Sequence, residues 1–166
     1  MTISLKDFVL SGRFGPVYIG MPIDELKHYL GEPGDSYESK SGAGFLFYNG
    51  FEFYYYTDTN TVHGIQNDNL RYEGPDRKSD YLYYVDDAIL VDTWFIEFGN
   101  PLNFTQVTEL LKREDISFEA CEKDGYDELK FPSGVRFDFE NWKDDEGKKI
   151  INREEAALNG IRYFTY

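Results

Sequence analysis

The chain repeats itself, and this constrains its fold more than any single motif does. At one constant offset Phe14-Gly15 recurs as Phe98-Gly99, Ile23 as Val107, Glu25-Leu26 as Glu109-Leu110, Phe47 as Phe131, Gly50 as Gly134 and Phe53 as Phe137. The register then slips. His63-Gly64-Ile65-Gln66 aligns with Asn159-Gly160-Ile161-Arg162 if the second copy carries an insertion, the charged stretch 141–155. Because one short unit cannot bury its apolar face alone, duplicated units are expected to share a core. The expected fold class is α+β: two tandem copies of a helix followed by an antiparallel sheet, with the helices packed on one sheet face. The expected layout is a single compact domain, with repeats at about 12–68 and 94–166 and a linker with extra strands at 69–93.

Each copy carries the same local signals. Pro22 suits a first helical turn, where its missing N–H is an orphan in any case, and Asp24 and Glu25 favour the positive end of the helix. Ile23, Leu26 and Leu30 form one stripe, stopped by Gly31 and Pro33. In the second copy Asn103 and Gln106 make a capping pair ahead of Phe104, Val107, Leu110 and Leu111. Phe45 to Tyr48, Asn49-Gly50 and Phe51 to Thr57 read as a hairpin, since Asn-Gly accepts the positive φ angles that match strand twist. Alternation puts Phe51, Phe53 and Tyr55 toward the helix and Glu52, Tyr54 and Tyr56 outward; Val135, Phe137 and Phe139 oppose Arg136, Asp138 and Glu140. Final strands are expected near 61–66 and 160–166, further strands at Tyr81–Val85 and Trp94–Phe98, and a linker at Gly74-Pro75-Asp76; Ile89-Leu90-Val91 is left without an assignment.

Composition then narrows the function. Seventeen basic against 31 acidic residues give a net charge of −14, the reverse of the positive footprint that phosphate binding needs, so nucleic acid is excluded as a partner. Fourteen Tyr, 14 Phe and 2 Trp supply enough apolar surface for an ordered core despite that charge. Cys121 is a single cysteine, which rules out an internal disulfide and leans toward a reducing compartment. Lys6 and Asp7 interrupt any leading apolar run, and nowhere do eighteen apolar residues follow one another. The expectation is a cytoplasmic protein with no membrane association.

Catalytic material is thin. Cys121 lies beside Glu119 and Glu122, which raise a thiol pKa and suit a structural role. His28 and His63 are too few for a histidine-rich metal site. Asp58-Thr-Asn60 opens like a calcium loop but has His63 where glycine is needed and Asn69 where glutamate is needed. Ser41-Gly-Ala-Gly44 lacks the lysine and following helix of a phosphate loop. No catalytic residue, metal or cofactor is expected, and the chain is read as a non-enzyme.

The segment Ile19-Gly-Met-Pro-Ile-Asp-Glu-Leu-Lys-His-Tyr-Leu-Gly-Glu-Pro33 resembles the opening G-x-[ST]-x-x-[ED]-[VL]-x-x-x-[LF]-G-x-P of small bacterial α/β domains. These are the outer-membrane assembly lipoproteins of the SmpA/OmlA type and the repeats of β-lactamase inhibitor protein. Met21-Pro22 replaces the usual hydroxyl residue. The resemblance implies helices on one face of an antiparallel sheet and a protein bound by the other face or its loops. An acidic, duplicated version is also similar to bacterial immunity proteins in size, charge and architecture.

The expected contact surface is the outer sheet face, where Glu52, Tyr54, Tyr56, Arg136, Asp138 and Glu140 mix rings with charges, with Tyr37, Tyr48 and Trp142 on adjacent loops. The functional expectation is an immunity or inhibitor protein that occludes a basic toxin or enzyme. Two alternatives belong to other classes: a small-ligand or carbohydrate-binding protein with an aromatic pocket between the sheets, and a homo-oligomeric scaffold.

Overall fold

The computed structural model describes residues 1–70, 79–123, 125–140 and 143–165. Strand β1 (Thr2–Ser4) runs into helix α1 (Leu5–Ser11), then α2 (Ile23–Leu30) and strands β2 (Asp35–Glu38), β3 (Ala43–Tyr48), β4 (Phe51–Tyr56) and β5 (Thr61–Asn67). A short helix α3 (Asp80–Tyr83) precedes β6 (Tyr84–Asp86) and β7 (Ile89–Asp92). Helix α4 (Phe104–Arg113) then leads into β8 (Glu119–Lys123), β9 (Tyr126–Lys130), β10 (Arg136–Phe139) and β11 (Leu158–Phe164). The order of a helix and four strands thus occurs twice, as α2–β5 and as α4–β11.

All eight of these strands join one antiparallel sheet in the order β2-β3-β4-β5-β11-β10-β9-β8. The last strand of each half forms the central seam, where Gln66 lies opposite Arg162 and Gly64 opposite Phe164. A second sheet, β1-β7-β6, pairs β1 parallel to β7 and covers one end of the core.

The helices start and stop where side chains satisfy their end groups. In α4 the Asn103 side chain accepts from Gln106 N at 2.9 Å while Gln106 Oε1 accepts from Asn103 N at 2.9 Å, closing a capping box. In α1 Ser4 Oγ accepts from Asp7 N, and Gly12 takes the left-handed conformation at φ 73° that ends the helix. In α2 Pro22 stands one place earlier than the sequence implied, at the N-cap, with Asp24 and Glu25 at the positive end and Lys27 and His28 at the negative one.

Both main helices lie on the inner face of the large sheet. Ile23, Leu26 and Leu30 of α2, and Phe104, Val107 and Leu111 of α4, join the inward residues Leu46, Phe51, Phe53, Ile65, Leu129, Phe137, Phe139 and Ile161 in one contiguous core. Phe14 holds Phe51 at 4.7 Å and Phe53 at 5.7 Å between ring centroids. Burying a side chain of this size contributes about 1.5–3 kcal/mol, so the stripe of phenylalanines is the main reason the outward residues face outward.

Between the halves the sequence expectation needs correcting. Tyr81–Tyr83 lie in α3 and only Tyr84 and Val85 are extended, while Trp94–Phe98 forms turns with Trp94 at φ 60°. Asp92 Oδ1 accepts from Trp94 N, an Asx turn that ends β7 and competes with strand pairing there. Ile89-Leu90-Val91 is the middle strand of the small sheet, with Ile89 and Val91 buried and Leu90 exposed. The Gly74-Pro75-Asp76 linker lies outside the described residues. Tyr48 is also corrected: it is not on a loop but on β3, facing inward and 2 % exposed, where its hydroxyl donates to Gly31 O at 2.7 Å. Tyr37 belongs to edge strand β2.

Candidate functional site

The outer face of the large sheet brings most of the expected residues together, but along rows that run across the strands. One row reads Phe47, Glu52, Gln66, Arg162, Arg136 and Lys130 on six successive strands. Glu52 and Tyr54 therefore lie three strands away from Arg136 and Asp138, with Gln66 and Arg162 on the two strands between. Those two linking residues were missed as site residues, although they are partners in the aligned segments ending Ile65-Gln66 and Ile161-Arg162. Nothing in either segment alone says that the two strands pair with each other.

On the β3–β5 side the face is aromatic. Tyr54 lies 5.4 Å from Phe45 and 5.2 Å from Phe164 between ring centroids, Tyr37 lies 5.2 Å from Phe45, and Tyr56 stacks on His63 at 3.9 Å. A bulge between Tyr54 and Tyr55 adds His63 to the outward set. Tyr37 is 55 % and Tyr56 41 % exposed. His63 Nε2 is buried without a hydrogen-bond partner among the described residues, and burial holds the imidazole below its usual pKa. Tyr54 Oη donates to Glu52 Oε2 at 2.5 Å, and Gln66 Nε2 donates to the same oxygen at 2.7 Å. Burial, and then that carboxylate, raise the Tyr54 phenol well above its usual value.

On the β9–β11 side the face is a concavity of about 380 Å³ with a charged floor. Asp138 is 1 % exposed and accepts from Arg162 through both oxygens, Nε to Oδ1 at 3.0 Å and Nη2 to Oδ2 at 2.8 Å, while Asn159 adds a bond at 3.2 Å. Glu128 is likewise buried and accepts from Arg136 Nη1 at 2.8 Å. Burial works against the Arg162 charge, but the carboxylates of Asp138 and Asp68 outweigh it and hold the guanidinium above its usual pKa. Burial, with the Glu128 charge behind it, raises the nearby Cys121 thiol, which suits a structural cysteine better than a nucleophile.

Of the remaining expected residues, Glu140 is half-buried and its backbone N–H donates to Ala157 O at 2.9 Å. Trp142 lies outside the described residues. No group of three or more metal-ligating side chains occurs among the described residues. No helix among them is long and apolar enough to cross a membrane. The site therefore offers shape, rings and fixed charges.

No family model matches the chain, and no curated protein matches it. Among solved structures it is similar to an extracellular protein containing a SCP domain from Bacillus anthracis str. Ames, at 13% identity and a TM-score of 0.41, over 88% of this chain and 43% of that one. It is also similar to a cysteine-rich secretory protein from Staphylococcus aureus subsp. aureus Mu50, at 11% identity and a TM-score of 0.37, over 89% and 44%. The chain spans less than half the length of either.

Two expectations change with these matches. The resemblance to β-lactamase inhibitor protein, the SmpA/OmlA lipoproteins and immunity proteins does not hold, because the neighbours are SCP-domain proteins. Its motif reflects what any short amphipathic helix started and stopped by glycine and proline requires. The cytoplasmic location does not hold either, since the neighbours are described as extracellular or secretory. A core of this size needs no disulfide in any compartment, so a single cysteine does not fix the location. At these TM-scores the likeness assigns no activity.

Proposed function

We propose that the chain is a non-enzymatic binding module that presents the aromatic half of the outer sheet face to a basic protein partner. The observation that carries this reading is the connected set of rings from Tyr37 through Phe45, Tyr54 and Phe164 to His63 and Tyr56, on the face opposite both main helices. Rings of this kind add contact area at little entropic cost. The charge of −14 speeds encounter with a basic surface, and Asp35, Glu38 and Asp58 lie on or beside the strands that carry the rings. When the partner is a toxin or an enzyme, such binding blocks it stoichiometrically. The duplicated sequence belongs to the same reading: one copy contributes most of the rings and the other most of the fixed charges.

The test is photo-crosslinking in the native host from a reactive side chain placed at Tyr37 or Tyr56, with exposed Leu10 on the helix side as control. One basic protein captured from the sheet face and not from Leu10, with an association rate that falls as salt rises, is the expected result. Equal capture from all three positions, or a salt-independent rate, would count against the reading.

A further inference from the structure

We infer that the concavity on the β9–β11 half of the outer face is a binding site for a neutral saccharide, adjoining the aromatic surface proposed above at Phe164. Its volume of about 380 Å³ lies within the range of small-ligand pockets. Among the described residues its walls carry three cationic side chains, Lys123, Arg136 and Arg162, and three carboxylates, Asp68, Glu128 and Asp138. Charge among these side chains is thus balanced, and the chain as a whole is strongly negative, so an anion gains little by entering. A basic ligand meets as many cations as acids.

What the site does offer is hydrogen bonding from fixed positions. Asp138 and Glu128 are buried and hold the two guanidiniums by bonds of 2.8–3.0 Å, so little side-chain entropy remains to be lost on binding. Arg136 donates to Glu128 through Nη1 and Arg162 to Asp138 through Nε and Nη2, and a guanidinium carries five N–H donors, more than these bonds use. Arg136 and Arg162 face each other across neighbouring strands, a like-charge pairing that costs stability unless something else maintains it. Closely spaced donors beside carboxylate acceptors match vicinal hydroxyls, each of which both gives and takes a hydrogen bond. Two rings, Tyr126 and Phe164, also line the concavity and offer apolar surface to the C–H face of a sugar. Tyr126 is 46 % exposed, ready for contact.

Nuclear magnetic resonance titration of the isotope-labelled chain tests this with three neutral trisaccharides, of glucose linked α, glucose linked β and N-acetylglucosamine. Inorganic phosphate and trilysine serve as charged controls. The expected result is saturable shifts at residues 126–128, 136–138 and 159–164 with at least one trisaccharide, and none with either control. Tyr126→Ala, at an exposed position that leaves the core intact, should weaken binding at least tenfold, and Arg136→Gln should do the same. No saturable shift with any trisaccharide at 10-millimolar order, tighter binding of phosphate or trilysine, or unchanged affinity in both variants overturns the inference. None of these outcomes bears on crosslinking from Tyr37 or Tyr56, so the two proposals fail separately.

Discussion

Gly64 and Phe164 face each other across the β5–β11 seam, and the Phe164 ring occupies the space that a Cβ on Gly64 would need. The same device recurs two strands away, where the Tyr55 ring lies over Gly44. Each glycine leaves room for a ring where a Cβ would stand, and at Gly64 this ring joins the aromatic half of the outer face to the charged half.

Gly64→Ala should therefore destabilise the chain by about 1–3 kcal/mol, since neither the ring nor the strand can yield without breaking seam pairing. Chemical denaturation measures it. In the background of Phe164→Ala the same substitution should cost far less, and equal costs in both backgrounds would dispose of this explanation.

Stability should fall on acidification through a window set by His63. Its folded pKa is lowered by burial, so the unfolded chain takes up a proton first, near the ordinary histidine value of about 6.5, while the folded chain resists. The contribution is fully present above that value and is lost as pH falls toward the folded pKa. Denaturation midpoints followed from pH 8 to 5 should decline more steeply in the native chain than in His63→Phe, which keeps the stacking partner of Tyr56 and removes the proton site.

Asp127 fastens the 143–155 segment to the sheet. Its carboxylate, 5 % exposed, accepts from Arg153 Nε at 2.7 Å and Lys149 Nζ at 3.1 Å. Both cations keep about a third of their surface in water, so solvent recovers part of the loss and Asp127→Ala should cost about 1–2 kcal/mol. Trypsin should cut after Lys148 or Lys149 several-fold faster in the variant, with the rest of the chain unchanged.

Asn103→Ala opens the capping box of α4 and should cost about 1 kcal/mol. Asn103→Asp, which keeps the acceptor, should restore most of it; a variant no better than alanine would show that the cap matters little beside the burial of Phe104 and Val107.

The paired helices, the Asn49-Gly50 hairpin and the inward phenylalanines were legible because each signal is local: a cap, a turn, a period of two. The site was half legible for the same reason. Alternation turned Glu52, Tyr54, Arg136 and Asp138 outward, yet the partners that give them meaning, Gln66 and Arg162, depend on which strands become neighbours. Burial made the larger difference. Asp138 carries the same charge as any surface acid, and only the seam beside it shows that it anchors Arg162. Trp94–Phe98 failed as a strand because the Asp92 side chain bonds its own backbone, a competition that periodicity does not register.

The seam has a consequence for the order in which the molecule is made. The strand that completes the middle of the large sheet, β11, leaves the ribosome after every other strand, so β5 emerges with an open edge of seven residues and keeps it until 158–164 arrive. Until then the first half is a half-sheet whose edge can pair with any passing strand, including the β11 of a neighbouring copy. Exchange of that strand between two chains would yield a dimer built from native contacts, and its yield would rise with the density of ribosomes on the message.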